Sequence, residues 1–350
     1  MRPWTLLCAS LAAALVSAGA MAEPYLAPEV RSVTLLAHDG GRVDWSPQNR
    51  IAFDRRSPDG YYDVWTMDAD GAGQRCLTCG AAGAPTKNKG NPAWHPSGQY
   101  IVFQAQKQTM PAMLDHVAEP GRGVGNNLWL MTADGAHYWE IVNADRGGAP
   151  AGILHPHFSA DGRQLMWTQL LRADGKLGDW DLHVADFAIT DGAPVLSHER
   201  VLRPGPVQKF YESHGFFPDG RSILYTAETA TGLSDEFTLD LATGAVRDLT
   251  NDAAFWNEHA HIDPAGRRIV WATSKGVPGP LRYLNLWIMD PDGSHQHQLV
   301  DFHRAGTPIA SSGIGPGDSA WSPDGRRLAV YVIGDRAETV GDIYVIDFNN

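Results

Sequence analysis

The sequence has only three cysteines among 350 residues, no run of basic residues, and no long apolar stretch after its N terminus. Each shortage excludes something. A nucleic-acid surface needs clustered Lys and Arg to neutralise phosphates, and here the formal net charge is -12, so no nucleic-acid partner is expected. An anionic polymer remains open to recognition by a few local Arg residues. Spanning a bilayer takes roughly 20 apolar residues, so no integral membrane segment is expected in the mature chain. Cys76-Leu77-Thr78-Cys79 has no following His and no second thiol pair, which excludes haem attachment and leaves a zinc ribbon two ligands short.

What is present begins with an export signal. Arg2 gives a positive start, Trp4 to Val16 an apolar stretch, and Ala20-Met21-Ala22 a small-x-small cleavage site. Residues 1–22 are read as a signal peptide, 23–29 as a lead-in and 30–350 as one domain. The expected product is a soluble monomer in the periplasm or secreted. Only seven residues precede Cys8 and the apolar stretch runs past it, which disfavours lipid attachment there. In an oxidising compartment Cys76 and Cys79 are expected as a disulfide, with a redox-active pair or metal ligands as the alternatives.

The 37 Gly, 23 Pro and 12 Trp suit short strands joined by tight turns, and the turns recur. Six segments punctuate the chain: Trp45-Ser46-Pro47, Trp94-His95-Pro96-Ser97-Gly98, Phe158-Ser159-Ala160-Asp161-Gly162, Phe216-Phe217-Pro218-Asp219-Gly220, Ile262-Asp263-Pro264-Ala265-Gly266 and Trp321-Ser322-Pro323-Asp324-Gly325. Each precedes an apolar triplet such as Ile51-Ala52-Phe53 or Ile269-Val270-Trp271, as a hairpin requires. Third strands such as Asn127 to Met131, and fourth strands such as Arg75 to Thr78 or Arg247 to Thr250, complete four-stranded antiparallel blades. The sixth unit stops after its third strand, and Arg31 to Leu36 looks like the missing fourth. The fold class is therefore all-β: a six-bladed β-propeller whose ring is closed by the N-terminal strand joining the C-terminal blade, which removes an exposed sheet edge.

These repeating W/F-S-P-D-G, apolar-triplet, L-W-x-M-D and D-G units resemble the WD-like repeats of TolB-type propellers over nearly all of residues 30 to 350. No separate α/β domain of the kind that precedes the propeller in TolB is expected here. The resemblance implies that the first strand of each blade lines a central channel. It also implies that the connections into that strand and between the second and third strands share one face. Long connections fall there, including 104–126, 168–180, 273–283 and 301–317, which makes that face the expected binding face.

Counting four and two residues back from the Ser position of each turn gives Arg42 and Asp44, Asn91 and Ala93, His155 and His157, Ser213 and Gly215, His259 and His261, then Asp318 and Ala320. Alternate residues of a strand project to one side, so each His-x-His offers two imidazoles to one point. His214 is one position out of phase and needs a local bulge to join them. The candidate metal ligands are His155, His157, His214, His259 and His261, for one divalent ion of manganese, zinc, iron, nickel or copper. The alternative is that they hydrate a polar channel. Candidates for acid/base work are His155, His214, Glu212 and Glu258, and candidates for ligand binding are Arg42, Asp44, Asn91, His116, Arg122 and Asp318. The expected partner is a periplasmic protein or a carbohydrate-like ligand.

A histidine-rich channel also resembles that of oligogalacturonate lyases, on His259-Ala260-His261 with an imidazole from an earlier blade. That likeness implies metal-assisted elimination or hydrolysis on uronate-type oligosaccharides as the alternative to a binding or scaffolding role. Trp256 stands where that family's pattern carries Gln. His295-Gln296-His297 lies on the opposite face and reads as solvated surface. Ser311-Ser312-Gly313 is not set in a G-x-S-x-G elbow, which disfavours a serine peptidase.

Overall fold

The computed structural model describes residues 22–144, 151–172, 178–281, 283–307, 309–334 and 341–349. All but the last residue of the expected signal peptide, Cys8 included, lies outside the described residues.

Among the described residues, twenty-four strands form six four-stranded sheets. Five sheets run in sequence order, and the sixth takes Val30–Ala37 as its outermost strand beside Gly341–Phe348. Val33 pairs with Ile346 and Leu35 with Tyr344, antiparallel. The two ends of the chain thus close the ring, and a pair of edges becomes a ladder. The lead-in is also held, because Leu26 bridges Val300 and Ala27 N–H donates to the Leu299 carbonyl at 2.9 Å. Among the described residues, no helix is long and apolar enough to cross a membrane.

The apolar triplets are the second strands, and their last residue fills the space between blades: Phe53, Phe103, Trp167, Tyr225 and Trp271 are each at most 1% exposed. Burying a side chain of this size contributes about 1.5–3 kcal/mol. The fourth strands are shorter than the sequence suggests, with Arg75–Cys76 and Val246–Asp248 in place of four-residue runs. In both, a threonine hydroxyl replaces the next ladder bond: Val64 N–H donates to Thr78 Oγ1 and Glu236 N–H to Thr250 Oγ1, each at 3.0 Å. Blade three departs the other way, with third and fourth strands of 12 and 10 residues, Asp179–Thr190 and Ala193–Leu202. They meet at Asp191-Gly192, both with positive φ, as a two-residue hairpin turn demands.

One irregularity positions the site. The first strands of blades two to six each carry one extra residue against the second strand, with register shifts at Gly90/Ala93, Leu154/His157, Ser213/Gly215, Glu258/His261 and Pro316/Ser319. At these bulges Asn91, His155 and His259 adopt left-handed backbone, with φ of 50°, 47° and 60°. Asn and His tolerate that region better than β-branched residues do. The bulge re-aims side chains that a regular strand would send to one side.

Candidate metal centre and channel

Three blades supply the centre. His155 stands on the first strand of blade three, Ile153–Phe158; Glu212 and His214 on that of blade four, Tyr211–Phe216; Glu258, His259 and His261 on that of blade five, Asn257–Ile262. His155, Glu212 and His259 place one ligand atom each within 4.8 Å of the others. His155 is 1% exposed and Glu212 5%. The rings of His155, His214 and His259 form a triangle with centroids 6.0, 6.1 and 5.9 Å apart. The bulge that His214 requires is there.

The two members of each His-x-His do not meet at one point. His155 faces His259, whereas His157 faces His261 at 5.9 Å, so contacts run between blades rather than along a strand. The left-handed turn at His155 and at His259 breaks the alternation that a regular strand would keep. Asp318, from blade six, ties the layers together: its Oδ1 lies 3.2 Å from His259 Nδ1 and 3.9 Å from His261 Nε2, and its Oδ2 lies 3.3 Å from Arg42 Nε. The Arg42 and His259 contacts pair opposite charges, whereas those of His261 with Asp318 and of His155 Nδ1 with Glu212, at 3.0 Å, are close polar contacts; none has the angle of a hydrogen bond.

Burial holds most of these imidazoles neutral. It lowers His157 to about 3, aided by His261 and His155, and pushes His214 well below and His261 below the usual value. At His259 burial also opposes the charge, but Asp318, Glu258 and Glu212 outweigh it and raise this imidazole to about 10. Burial likewise works to raise the Asp318 and Glu212 carboxyls, yet His259 and His155 pull Asp318 well below the carboxylate range, and His155 pulls Glu212 down. Glu258 is pushed up by burial, and Glu236 well up.

A second line of polar groups stands behind the first strands, on residues the sequence reading passed over. Thr226 Oγ1 donates to Glu236 Oε1 at 3.1 Å and sits 2.6 Å from His214 Nε2. With its proton given to Glu236, the hydroxyl accepts from His214 Nε2–H. Nδ1 of His214, buried and without a hydrogen-bond partner, then carries the free lone pair. Thr168 Oγ1 donates to Ser213 Oγ, which donates to the His155 carbonyl at 2.6 Å. Asp54 accepts the Asn91 N–H at 2.9 Å. Asp54, Gln104, Thr168 and Thr226 each follow an apolar triplet directly, and that recurrent polar residue was the available signal.

The remaining candidates divide. Asp44 and Asn91 line a cavity of about 260 Å³ with His157, His261 and Asp318, among the turn segments. An adjoining space of about 360 Å³ adds His214, Trp45 and Trp94. His116 and Arg122 are exposed on the blade-two connection, Arg122 beside Glu119 at 4.0 Å. Neither belongs to the cluster. Cys76 and Cys79 are disulfide-bonded at the outer end of blade one.

The donor set fits a metal ion in kind: two imidazoles and a carboxylate, His155 and Glu212 buried and His259 partly so, with both His155 nitrogens and His214 Nδ1 lacking hydrogen bonds. Ligand atoms around one ion stand about 3–4 Å apart, so small side-chain rotations bring the trio to that spacing.

No protein-family profile matches the chain. A dipeptidyl-peptidase 5 from Porphyromonas endodontalis is 22% identical over 248 residues, covering 60% of this chain but only 32% of that protein. Among solved structures, TolB from Acinetobacter baumannii superposes with a TM-score of 0.54 at 14% identity, over 85% of this chain and 63% of that one. An oligogalacturonate lyase in complex with manganese gives 0.54 at 12% identity, over 94% and 96%. The chain spans about a third of the curated relative's length and just under two thirds of that TolB. At these identities the likeness shows the fold alone, a six-bladed β-propeller.

Proposed function

We propose that the protein is an exported propeller that acts as a binding module, in which His155, Glu212 and His259 hold one divalent transition-metal ion. The ligand would be a carbohydrate-like molecule or an extended segment of a periplasmic protein. One observation carries this reading: blades three, four and five bring three potential ligands together, two buried and one partly buried, and the strands of blades three and five are bent by left-handed histidines. Such strain persists where surrounding structure over-determines it, and it clusters at functional sites. Bound there, the ion would supply a positive charge that fixes and polarises a carboxylate or carbonyl oxygen. The chain's own residues would do the rest. Arg42 offers a guanidinium to an anionic group, Asp318 sets the positions of Arg42, His259 and His261, and burial keeps His157 neutral as a hydrogen-bonding group.

A second reading, elimination on a uronate-type oligosaccharide, draws support from the near-complete overlap with a propeller lyase that binds manganese. Here Nδ1 of His214 would take the proton, since Thr226 holds the opposite nitrogen. The test is metal analysis of the purified mature protein after equilibration with manganese or zinc, alongside His155→Ala and His259→Ala. One ion per chain, lost in both variants, is expected, and no metal in the parent protein would end the proposal. A uronide panel followed by ultraviolet absorbance of unsaturated products separates the readings: a blank panel with metal bound leaves the binding module and removes the lyase.

A further inference from the structure

We propose that the Cys76–Cys79 disulfide is a thiol–disulfide exchange site open to an external dithiol, with Cys79 as the sulfur attacked and Cys76 as the one released. It is independent of the metal centre, and four observations carry it.

Access is unequal. Cys79 is exposed and Cys76 half-buried, so an incoming thiolate reaches the Cys79 sulfur first. The leaving side is prepared, because the Cys79 backbone N–H donates to Cys76 Sγ at 3.0 Å, and a thiolate released there keeps a hydrogen bond. Beneath both sulfurs lies the Asp63 carboxylate, with an oxygen within 4.8 Å of each. It is 1% exposed, paired with Lys89 Nζ at 2.9 Å and hydrogen-bonded by Thr78 Oγ1 at 2.7 Å. That buried ion pair anchors Thr78 through its hydroxyl and so holds the segment between the two cysteines in place.

The bond also holds little of the fold. It closes a loop of sequence separation 3, and cross-links over such short loops remove little chain entropy. The two residues between the cysteines are fixed by other means: Leu77 is 4% exposed and its N–H donates to the Val64 carbonyl at 2.8 Å, and Thr78 is tied to both Val64 and Asp63. Both thiols therefore stay in place when the bond opens, and the pair can close again.

The step balances as follows. One thiolate of a dithiol attacks Cys79 Sγ, the Cys76–Cys79 bond breaks, and the electron pair leaves on Cys76, which takes up a proton. The second thiolate of the dithiol then attacks its own mixed-disulfide sulfur and frees Cys79. The protein is reduced by two electrons and the dithiol is oxidised to its cyclic disulfide.

The experiment uses the folded full chain in buffers of reduced and oxidised dithiothreitol without denaturant. Free thiols are alkylated and located by peptide mapping, which sets Cys8 apart. A reversible two-electron transition of Cys76 and Cys79 is expected, with unchanged circular dichroism. The Cys76→Ser variant should form a mixed disulfide with glutathione at Cys79 at least tenfold faster than Cys79→Ser does at Cys76. Reduction only after unfolding, loss of native structure on reduction, or equal reactivity of the two variants would each overturn the proposal.

Discussion

Glu212 Oε1 lies 3.0 Å from His155 Nδ1, a carboxylate of blade four against an imidazole of blade three, both almost wholly out of contact with water. Neither residue has a solvated alternative, so the pair is set by the packing of two neighbouring first strands. Removing one partner leaves the other's charge or lone pairs uncompensated.

Glu212→Gln keeps the shape and removes the charge. Metal affinity is expected to fall by about 100-fold or more, because a carboxylate ligand is lost and the His155 ring loses its orienting partner. Titration calorimetry with manganese reads this directly. Affinity equal to that of the parent protein would remove Glu212 from the ligand set.

Glu236 and Thr226 form a chain behind His214 in which burial pushes the Glu236 carboxyl well up, towards its neutral form. Glu236→Gln replaces one neutral group by another and should cost under about 1 kcal/mol, whereas Thr226→Val strands two buried polar groups and should cost about 1–3 kcal/mol. Urea unfolding midpoints compare the two. The reverse order would mean that Glu236 is ionised in the folded protein.

Asp44 gives a stability signature with a definite sign. Burial raises its folded carboxyl to about 7 from an ordinary 3.8, so between those values the folded chain binds more protons than the unfolded one. Its contribution is fully present below about pH 4 and is lost as pH rises towards 7. Asp44 keeps some contact with solvent, and screening holds the effect to roughly 1–3 kcal/mol. Asp44→Asn should gain that much on the parent protein between pH 4.5 and 8. Parallel stability curves across the window would count against it.

Trp271, 1% exposed at the end of its apolar triplet, packs beside Trp287 with ring centroids 6.0 Å apart. Trp271→Ala should cost about 3–5 kcal/mol in a denaturant titration. A loss below 1 kcal/mol would show that the neighbouring blades collapse into the space.

Closure by Val30–Ala37 predicts that a chain starting at His38 loses the whole outermost strand of the sixth sheet. It leaves the Gly341–Phe348 strand as a bare edge, a template for association. Size-exclusion chromatography should show self-association, with an earlier thermal transition than the parent protein. A stable monomer would mean that the ring needs no such strand.

The fold was legible because each blade repeats one local message, a Pro/Gly turn followed by an apolar triplet ending in a residue such as Phe53 or Trp271, and turns and triplets are decided by neighbours in the chain. The displaced strand was legible for the same reason, since Arg31 to Leu36 continues a pattern that the last blade leaves incomplete. The sequence likewise put histidines on the first strands of blades three, four and five. Their meeting was settled by tertiary structure. An extra residue in each strand, with left-handed backbone at His155 and His259, splits the His-x-His pairs between layers, and no spacing rule announces where a bulge will fall. Asp318, Thr226 and Glu236 reach the histidines across blades or from outer strands, from positions distant in the chain. Their roles come from the ring's closed packing, which alone decides which buried charge faces which imidazole.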